Sequence, residues 1–372
     1  MIERIIIENF KSIRSLGEKG LELKPINILI GANGAGKSNF VSFLKLANRI
    51  FEQKLQEYIG NNFDKFLYFG RKRSNHIYGL LDFENKCVFE FRLIPSINSN
   101  TGHLDSYNFG LNVQLDNSKN YPDWAMLQSQ RGMSLETELD KITKPEGGEY
   151  PFAEPFRKYL KTFKIYHFHD TGNDSSIKQM NDLNDNRFLR GNGKNLSAFL
   201  YYLQIKHPVE FQNIENQIRS VAPFFERFDL APDRLNEKQI ELRWLEKGSE
   251  AYFDAYDLSD GTLRFMALTT LLLQPDLPKT IIIDEPELGL HPFAINKLAA
   301  MMKQAAAKGS QVIVSTQSVN LIDNFEPEDI ITVDREDDQS VFKRLNSEDL
   351  KDWLEDYTLG ELWNKNVIGA RP

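Results

Sequence analysis

The sequence predicts an α/β protein with a mixed central sheet, an antiparallel β subdomain and a helical insertion lobe. Three observations predict this class. A strand, a glycine-rich turn and a helix follow one another near the N-terminus, residues 77 to 115 have strand-like patterning, and helices alternate with strands beyond residue 258. The 372 residues, of which 41% are hydrophobic and 26% charged, supply enough apolar surface for a buried core.

The chain begins with strands. β-Branched residues recur over residues 2 to 9 and 21 to 30, and Pro25 lacks an amide hydrogen, so it fits only a strand start or edge. The segment Gly31-Ala-Asn-Gly-Ala-Gly-Lys-Ser38 follows. Residues 38 to 51 are predicted to be helical because apolar side chains recur at helical spacing, at Phe40, Phe43, Leu44, Ala47 and Ile50.

The middle of the chain changes its pattern. Residues 77 to 115 resemble antiparallel strands with a polar interruption at 96 to 102, and residues 116 to 162 mix proline, glycine and charge. The elements predicted beyond them are a strand at 163 to 168, a mainly helical region at 196 to 225 broken near Pro208 and Pro223, and a hairpin in which 239 to 245 and 251 to 256 flank Lys247-Gly248.

Beyond residue 258, helices and strands alternate. The predicted helices cover 262 to 273 and 293 to 307, and the predicted strands cover 280 to 284 and 311 to 315. Such alternation is typical of a parallel sheet with helical crossovers. The C-terminal residues are too apolar for a solvated tail, so we expect them to pack on the head of the protein or on a partner.

Composition and charge exclude several classes of protein. The single cysteine, Cys87, cannot form an internal disulfide or build a cysteine-ligated metal site, which suits a reducing, cytoplasmic environment. No run approaches the roughly 18 apolar residues of a membrane span, so no membrane partner is expected. The net charge of −8 is concentrated in residues 323 to 356, which hold 13 acidic and 4 basic residues. This charge neither indicates nor excludes DNA as a partner.

The glycine-rich segment fits the pattern Gly-x-x-x-x-Gly-Lys-Ser between a predicted strand and a predicted helix, which is the context of a phosphate-binding loop. Glycines let main-chain N–H groups crowd around phosphates, and the helix dipole adds attraction. Lys37 would reach the β and γ phosphates and Ser38 would bind Mg²⁺. The candidate nucleotide-binding residues here are Gly31, Asn33, Gly34, Gly36, Lys37, Ser38 and Asn39.

Two further segments carry chemistry. Thr280-Ile-Ile-Ile-Asp284-Glu285-Pro286 is an apolar strand that ends in two carboxylates. Asp284 is suited to hold Mg²⁺ through water, and Glu285 would polarise an attacking water as general base. In Leu258-Ser259-Asp260-Gly261-Thr262, Ser259 can cap the helix that follows and Gly261 allows close approach to a phosphate. Alone, each segment is also typical of an acidic strand end or of a helix cap and turn.

Together these motifs resemble the ABC-type ATPase heads of the SMC, RecF and OLD group, and within it the small RecF-like predicted AAA family ATPases of bacteria. The segment Asp284-Glu-Pro-Glu-Leu-Gly-Leu-His-Pro292 carries the most specific likeness. The resemblance implies an ABC-type P-loop NTPase head with ATP and Mg²⁺ as cofactors. Its implied motifs are a Walker A at 31 to 38, a signature at 258 to 262, a Walker B at 281 to 285, a D-loop over 287 to 292 and a switch residue, Gln317.

The implied head is one discontinuous domain. Its core comprises residues 1–60 and 258–346, residues 61–257 form an antiparallel β and helical insertion, and residues 347–372 form a C-terminal helical segment. Two positions depart from the pattern of transporters. Asp260 replaces a glycine and, unless its side chain points away, brings a negative charge near the expected γ phosphate. Gln317 replaces the usual histidine and cannot carry a proton at neutral pH. We therefore expect a slow, switch-like ATPase.

Two assignments remain open from the sequence. The glutamine of the Q-loop is one of Gln114, Gln128, Gln130 and Gln179. His167 and His169 lie on one face of a predicted strand, where a hydrogen-bonded pair is a commoner arrangement than a metal site.

In the families resembled, two heads sandwich two ATP molecules. The leading hypothesis is therefore an ATP hydrolase, with Glu285, Lys37 and Gln317 as catalytic residues, that forms a homodimer on binding ATP and acts in DNA maintenance or anti-phage defence. DNA and a separate effector protein are both compatible partners. The alternative is a non-hydrolytic, ATP-bound scaffold or a regulatory subunit for a separate effector such as a nuclease or a toxin. A transporter motor is the least favoured alternative.

Overall fold

The protein is described by a computed structural model that covers residues 1–84, 87–112, 124–134 and 163–371. The chain divides into two compact units. The first comprises Met1–Phe163, Pro327–Tyr357 and Glu361–Pro372, and the second comprises Lys164–Glu326 and Thr358–Gly360. Within the described ranges, none of the helices is long and apolar enough to span a lipid bilayer.

The first unit contains a large antiparallel sheet, which confirms the strand prediction for residues 77 to 115 as far as residue 112; residues 113 to 115 lie outside the described ranges. In spatial order its strands are Ile13–Ser15, Ile2–Phe10, Ile77–Phe83, Cys87–Pro95, Gly102–Asn112 and Trp124–Ser134, and Leu21–Glu22 also pairs with Ile2–Phe10. Phe43, from the helix Lys37–Phe51, stacks on Phe91 of this sheet at a centroid distance of 5.8 Å. Cys87 is buried in the same sheet. Aromatic packing thus fixes the helix that follows the glycine-rich loop.

A second group of strands in this unit begins with Ile26–Ile30. This strand pairs in parallel with Ile330–Glu336, which pairs antiparallel with Gln339–Arg344. The prediction of one strand over residues 21 to 30 is wrong, because Pro25 has no amide hydrogen and the side chain of Asn27 bonds both the N–H and the carbonyl of Lys24. Among the described residues, this unit also contains the helices Leu55–Ile59 and Ser347–Leu354.

The second unit carries the alternating helices and strands that the sequence predicts. The strands Thr280–Asp284 and Gln311–Thr316 pair in parallel, with Asp284 opposite Ser315. The helices Asp260–Leu273 and Pro292–Ala307 each begin within two residues of their predicted start. Parallel pairing therefore brings the polar residues that follow both strands to the same edge.

The rest of the second unit is helical with small antiparallel pieces. Its helices are Leu196–Lys206, Pro208–Val221 and Val319–Ile322, and its other strands are Asn181–Asp182, Phe225–Phe228, Gln239–Ile240, Arg243–Glu246 and Tyr252–Asp254. The hairpin predicted around Lys247-Gly248 is confirmed for Arg243–Glu246 and Tyr252–Asp254, but the arm predicted over 239 to 245 is divided, because Gln239–Ile240 pairs with Asn181–Asp182. The strand predicted over 163 to 168 ends at Tyr166, because the main-chain N–H of His167 donates to the carbonyl of Gly191.

The C-terminal helix Leu359–Asn364 carries a fully buried side chain, Trp363. Its indole Nε1–H donates to the carbonyl of Ala370 at 2.5 Å, and the amide of Ala370 donates to the carboxylate of Asp334. These contacts hold the last residues of the first unit in place. The predicted α/β class, with its antiparallel β region and its helices, is confirmed.

Candidate functional site

The glycine-rich loop follows the strand Ile26–Ile30 and ends at Gly36, the residue before the helix Lys37–Phe51. Gly34 and Gly36 have φ values of +80° and +125°, which residues that carry a Cβ atom rarely adopt. A Cβ atom on Gly36 would also overlap the side chain of Ser340, and one on Gly31 would overlap the carbonyl oxygen of Val333. The glycines are therefore required both by the turn and by the strands packed behind it.

Lys37 lies within the curve of this loop. Its side chain is buried, and its ammonium donates to the carbonyl oxygens of Gly31 and Ala32 at 2.6 and 3.1 Å. Asn33, Gly34 and Ser38 are exposed at the rim. A buried cation at the N-terminal end of a helix, in a loop of left-handed glycines, matches the charge and shape of a nucleotide phosphate chain.

A chain of hydrogen bonds supports the loop from behind. Asn39 Nδ2 donates to Ser12 Oγ at 2.7 Å, the hydroxyls of Ser12 and Ser340 lie 2.6 Å apart, and Ser340 Oγ donates to the carbonyl of Ala35 at 2.5 Å. We call Ser12, Asn39 and Ser340 the loop brace. Asn39, a predicted nucleotide-binding residue, thus uses its amide to support the loop.

The carboxylates of the second unit lie where the strand Thr280–Asp284 ends. Asp284 Oδ1 accepts a hydrogen bond from the hydroxyl of Ser315. Glu285 adopts a φ of +41°, donates its N–H to the carbonyl of Ser315 at 2.8 Å, and accepts from Gln317 Nε2 at 2.6 Å through Oε1. The structure therefore brings together the predicted base and the predicted switch residue, and fixes the carboxylate of Glu285 in one orientation.

Glu287, which the sequence analysis did not single out, joins the same cluster. Its side chain is buried, and Oε1 accepts hydrogen bonds from Thr316 Oγ1 at 2.5 Å and from the N–H of Gln317 at 3.0 Å. Burial raises the pKa of the Glu287 carboxyl, and these hydrogen bonds oppose that shift. Gln317 is therefore bound by two carboxylates, that of Glu285 at its side chain and that of Glu287 at its main-chain N–H.

The signature segment begins the helix Asp260–Leu273. Ser259 is its N-cap, with Oγ accepting from the N–H of Thr262 at 3.2 Å. A Cβ atom on Gly261 would overlap the carbonyl oxygen of Gly289, so this glycine is required by close packing on the D-loop. Asp260 is exposed and its carboxylate lies 3.7 Å from the ammonium of Lys178, whose side chain is only 5% exposed. The negative charge of the altered signature therefore faces a cation.

Arg264, one turn further along this helix, is a second residue that the sequence analysis missed. Its buried guanidinium donates to the carbonyl oxygens of Phe168, His169 and Leu288. Burial lowers its pKa, and the charge of Asp260 opposes that shift. The sequence did hold a signal for the role of this residue, an arginine within an otherwise apolar helix. A buried guanidinium requires several hydrogen-bond acceptors, so such an arginine indicates a cluster of carbonyl or carboxylate oxygens around it.

The predicted site residues are divided between the units. Lys37 and Ser38 belong to the first unit, whereas Asp284, Glu285, Gln317 and Ser259 belong to the second. Serine hydroxyl and aspartate carboxylate oxygens are hard donors that suit Mg²⁺. The rings of His167 and His169 lie 6.4 Å apart, and His, Cys, Asp and Glu side chains of the described ranges form no group of three or more that could hold a metal ion.

The Q-loop glutamine remains unassigned. Gln179 donates from Nε2 to the hydroxyl of Tyr256 at 2.8 Å. Gln114 lies outside the described residues, as do the side chains of Gln128 and Gln130.

Curated relatives match only part of this chain. An energy-coupling factor transporter ATP-binding protein, EcfA, of Methanocaldococcus jannaschii is 30% identical over 122 residues, which are 30% of this chain and 42% of that protein. The Old nuclease of Escherichia phage P2 is 33% identical over 72 residues, which are 19% of this chain and 12% of that protein. The chain therefore spans less than half the length of either relative.

Solved structures match nearly the whole chain in fold. The SmcHead bound to the C-winged helix domain of ScpA has a TM-score of 0.61 at 16% identity, covering 94% of this chain and 99% of that one. The Smc head domain of Pyrococcus furiosus, with an extended coiled coil and the C-terminal domain of ScpA, has a TM-score of 0.55 at 16% identity, covering 95% and 98%. These likenesses confirm the ABC-type head fold.

A family assignment rests on a longer match. Residues 26–323, well over half of the chain, match the protein family described as "AAA domain, putative AbiEii toxin, Type IV TA system". The chain therefore belongs to this AAA-domain family and has the fold of an SMC head, in agreement with the resemblance to the ABC-type ATPase heads of the SMC, RecF and OLD group.

Proposed function

We propose that the chain binds ATP with Mg²⁺ and hydrolyses it slowly. The observation that carries this proposal is the hydrogen bond that holds Glu285 against Gln317, in a chain that also has a phosphate-binding loop with a buried lysine. A scaffold that binds ATP without hydrolysing it would not need an oriented carboxylate at the end of the Walker B strand. Membership of an ATPase family supports the same proposal.

Each motif residue has a proposed role. The main chain of residues 31–38 and the ammonium of Lys37 bind the phosphates, and Ser38 and Asp284 would hold Mg²⁺. The metal ion would supply positive charge against the charge that develops on the phosphates. Glu285 accepts a proton from the attacking water, and Gln317 keeps its carboxylate in position for that transfer.

We further propose that ATP drives association of two copies, in which Ser259 and Gly261 of one copy complete the nucleotide site of the other. DNA maintenance or anti-phage defence in the cytoplasm is the proposed setting. The phage P2 relative is a nuclease by name, the family description includes a toxin, and a solved neighbour is bound to a domain of ScpA. These names favour a switch that acts on DNA or on a separate effector protein.

Light scattering of the wild type and of Glu285→Gln, each with and without ATP and Mg²⁺, tests this proposal. We expect a dimer that forms only with ATP, that dissociates as the wild type hydrolyses ATP, and that persists in the variant. A monomer under every condition would contradict the dimerisation switch. Single-turnover cleavage that is equally slow in both proteins would instead favour the non-hydrolytic scaffold.

A further inference from the structure

Glu287 is a buried carboxyl whose two oxygens have different surroundings. Its side chain lies in the loop after the Walker B strand and is 8% exposed. Oε1 accepts two hydrogen bonds, from Thr316 Oγ1 and from the N–H of Gln317, whereas Oε2 is buried without a hydrogen-bond partner in the described part of the chain. Burying a carboxyl in this way costs free energy. If this residue only packed between two strands, an apolar side chain would fill the same place with a smaller free-energy cost of burial.

The position of Oε1 determines the position of Gln317. The main-chain N–H of Gln317 is bound by Glu287, and the side-chain Nε2 of the same residue donates to Glu285 Oε1 at 2.6 Å. Thr316 Oγ1, bound to Glu287, also accepts from the N–H of Ser318 at 2.9 Å. Glu287 therefore binds the last residue of the strand Gln311–Thr316 and the residue that follows it, and holds them in the conformation that lets the amide of Gln317 reach Glu285.

We propose that Glu287 is a positioning residue for ATP hydrolysis, acting through Gln317 on the orientation of the Glu285 carboxylate. This inference rests on the proposed function, because it requires Glu285 to act as the base. Oε1 accepts its two hydrogen bonds whether or not Oε2 carries a proton. The role therefore belongs to the oxygen that faces residues 316 and 317 and does not require the charge of the carboxylate.

Glutamine and alanine substitutions separate this role from simple packing. Glu287→Gln keeps the acceptor oxygen, so we expect kcat within about three-fold of the wild type. Glu287→Ala removes the acceptor, so we expect kcat to fall on the order of ten-fold, the effect of losing one hydrogen bond in the transition state, with the KM for ATP little changed. Glu250→Ala removes an exposed carboxylate of the same unit and serves as the matched control.

A double variant tests whether Glu287 acts through Gln317. If it does, Glu287→Ala combined with Gln317→Ala should hydrolyse ATP no more slowly than Gln317→Ala alone. If the two losses multiply, Glu287 contributes independently and the inference is overturned. Wild-type kcat in Glu287→Ala would also overturn it while leaving the proposed hydrolysis intact.

Hydrogen–deuterium exchange supplies a readout that needs no turnover. We expect faster exchange at the amide of Gln317 in Glu287→Ala and unchanged exchange in Glu287→Gln. If no protein hydrolysed ATP, the proposed function would fail, and exchange would still decide the placement of Gln317. Unchanged protection of this amide in Glu287→Ala would overturn the inference.

Discussion

Gln317 Nε2 lies 2.6 Å from Glu285 Oε1, and the two residues follow directly after neighbouring parallel strands. A glutamine amide can donate to a carboxylate, but it cannot exchange a proton with it near neutral pH. The pair therefore divides two tasks that a histidine could combine. In the proposed mechanism Glu285 accepts the proton, and Gln317 only orients the carboxylate of Glu285.

This division predicts that removing the amide slows hydrolysis without abolishing it. We expect Gln317→Ala to lower kcat on the order of ten-fold, since one hydrogen bond of about 1.4 kcal/mol would be lost from the transition state. Steady-state phosphate release measures this. Gln304→Ala, an exposed glutamine on the helix Pro292–Ala307, is the control and should match the wild type. Full activity of Gln317→Ala would contradict the proposed orientation of Glu285.

The ion pair between Lys178 and Asp260 predicts a compensating double substitution. Lys178→Met would leave the Asp260 carboxylate uncompensated beside the incoming phosphates of a second copy, so we expect ATP-driven association to weaken by roughly five- to ten-fold. Asp260→Asn should associate normally, and adding it to Lys178→Met should restore the affinity. Light scattering in the Glu285→Gln background measures these affinities.

Lys194 is an exposed lysine of the same unit, so Lys194→Met is the control for the loss of a lysine and should associate like the wild type. A double variant as weak as Lys178→Met alone would show that Lys178 acts on the phosphates directly and does not compensate Asp260.

The loop brace predicts that a hydroxyl outside the Walker A motif affects nucleotide binding. Ser340→Ala removes the donor to the carbonyl of Ala35 and leaves the buried hydroxyl of Ser12 with one partner fewer. We expect a loss of about 1 to 3 kcal/mol in the free energy of unfolding and weaker ATP binding. Urea unfolding and calorimetric titration measure these quantities. Ser15→Ala, an exposed serine of the same unit, should change neither.

The two tryptophans of the C-terminal region predict opposite outcomes. Trp363 is fully buried and donates to the carbonyl of Ala370, so Trp363→Ala should cost about 3 to 5 kcal/mol of stability. Trp353 is 46% exposed, so Trp353→Ala should cost no more than about 1 kcal/mol. Urea unfolding of both variants tests this. Similar losses in the two would show that the C-terminal segment does not pack as described.

Glu215 predicts a pH dependence of stability. Burial raises the pKa of its carboxyl above the ordinary 4.5, although Arg219 and the N–H of Phe228 oppose that shift. A raised pKa means that the folded state binds the proton more tightly than the unfolded state. The resulting stabilisation is complete below about pH 4.5 and is lost as the pH rises through the raised value.

Glu215→Gln, which cannot titrate, removes this dependence. We expect the wild type to become more stable relative to the variant as the pH falls from 7.5 to about 4.5. Urea unfolding at both values measures the difference. A stability difference that stays constant with pH, or that changes in the opposite sense, would contradict the assignment.

Local pattern was sufficient for much of this fold. The strand Thr280–Asp284 was predicted to the residue, because an unbroken apolar run between Lys279 and two acids has few alternatives. The helix Lys37–Phe51 follows from helical spacing of apolar residues after the glycine-rich turn. The prediction of one strand over residues 21 to 30 failed at Pro25. There a hydrogen bond from the N–H of Lys24 to the side chain of Asn27 takes the place of strand pairing.

Long-range partners could not be predicted in the same way. Lys178 and Asp260 are 82 residues apart, and Ser340 reaches a loop more than 300 residues earlier. Neither lysine nor serine carries a local pattern that specifies such a partner. The motifs therefore identify the residues proposed for the chemistry, while the residues that support them emerge only from the tertiary structure.

Cys87 gives the protein a practical property. It is the sole thiol of the sequence, it is buried in the antiparallel sheet, and burial raises its pKa, so little of it is reactive thiolate at neutral pH. A cysteine introduced at an exposed position such as Asn173 would therefore be alkylated selectively. Fluorophores or spin labels attached there could report the approach of two copies during a catalytic cycle without prior removal of the native thiol.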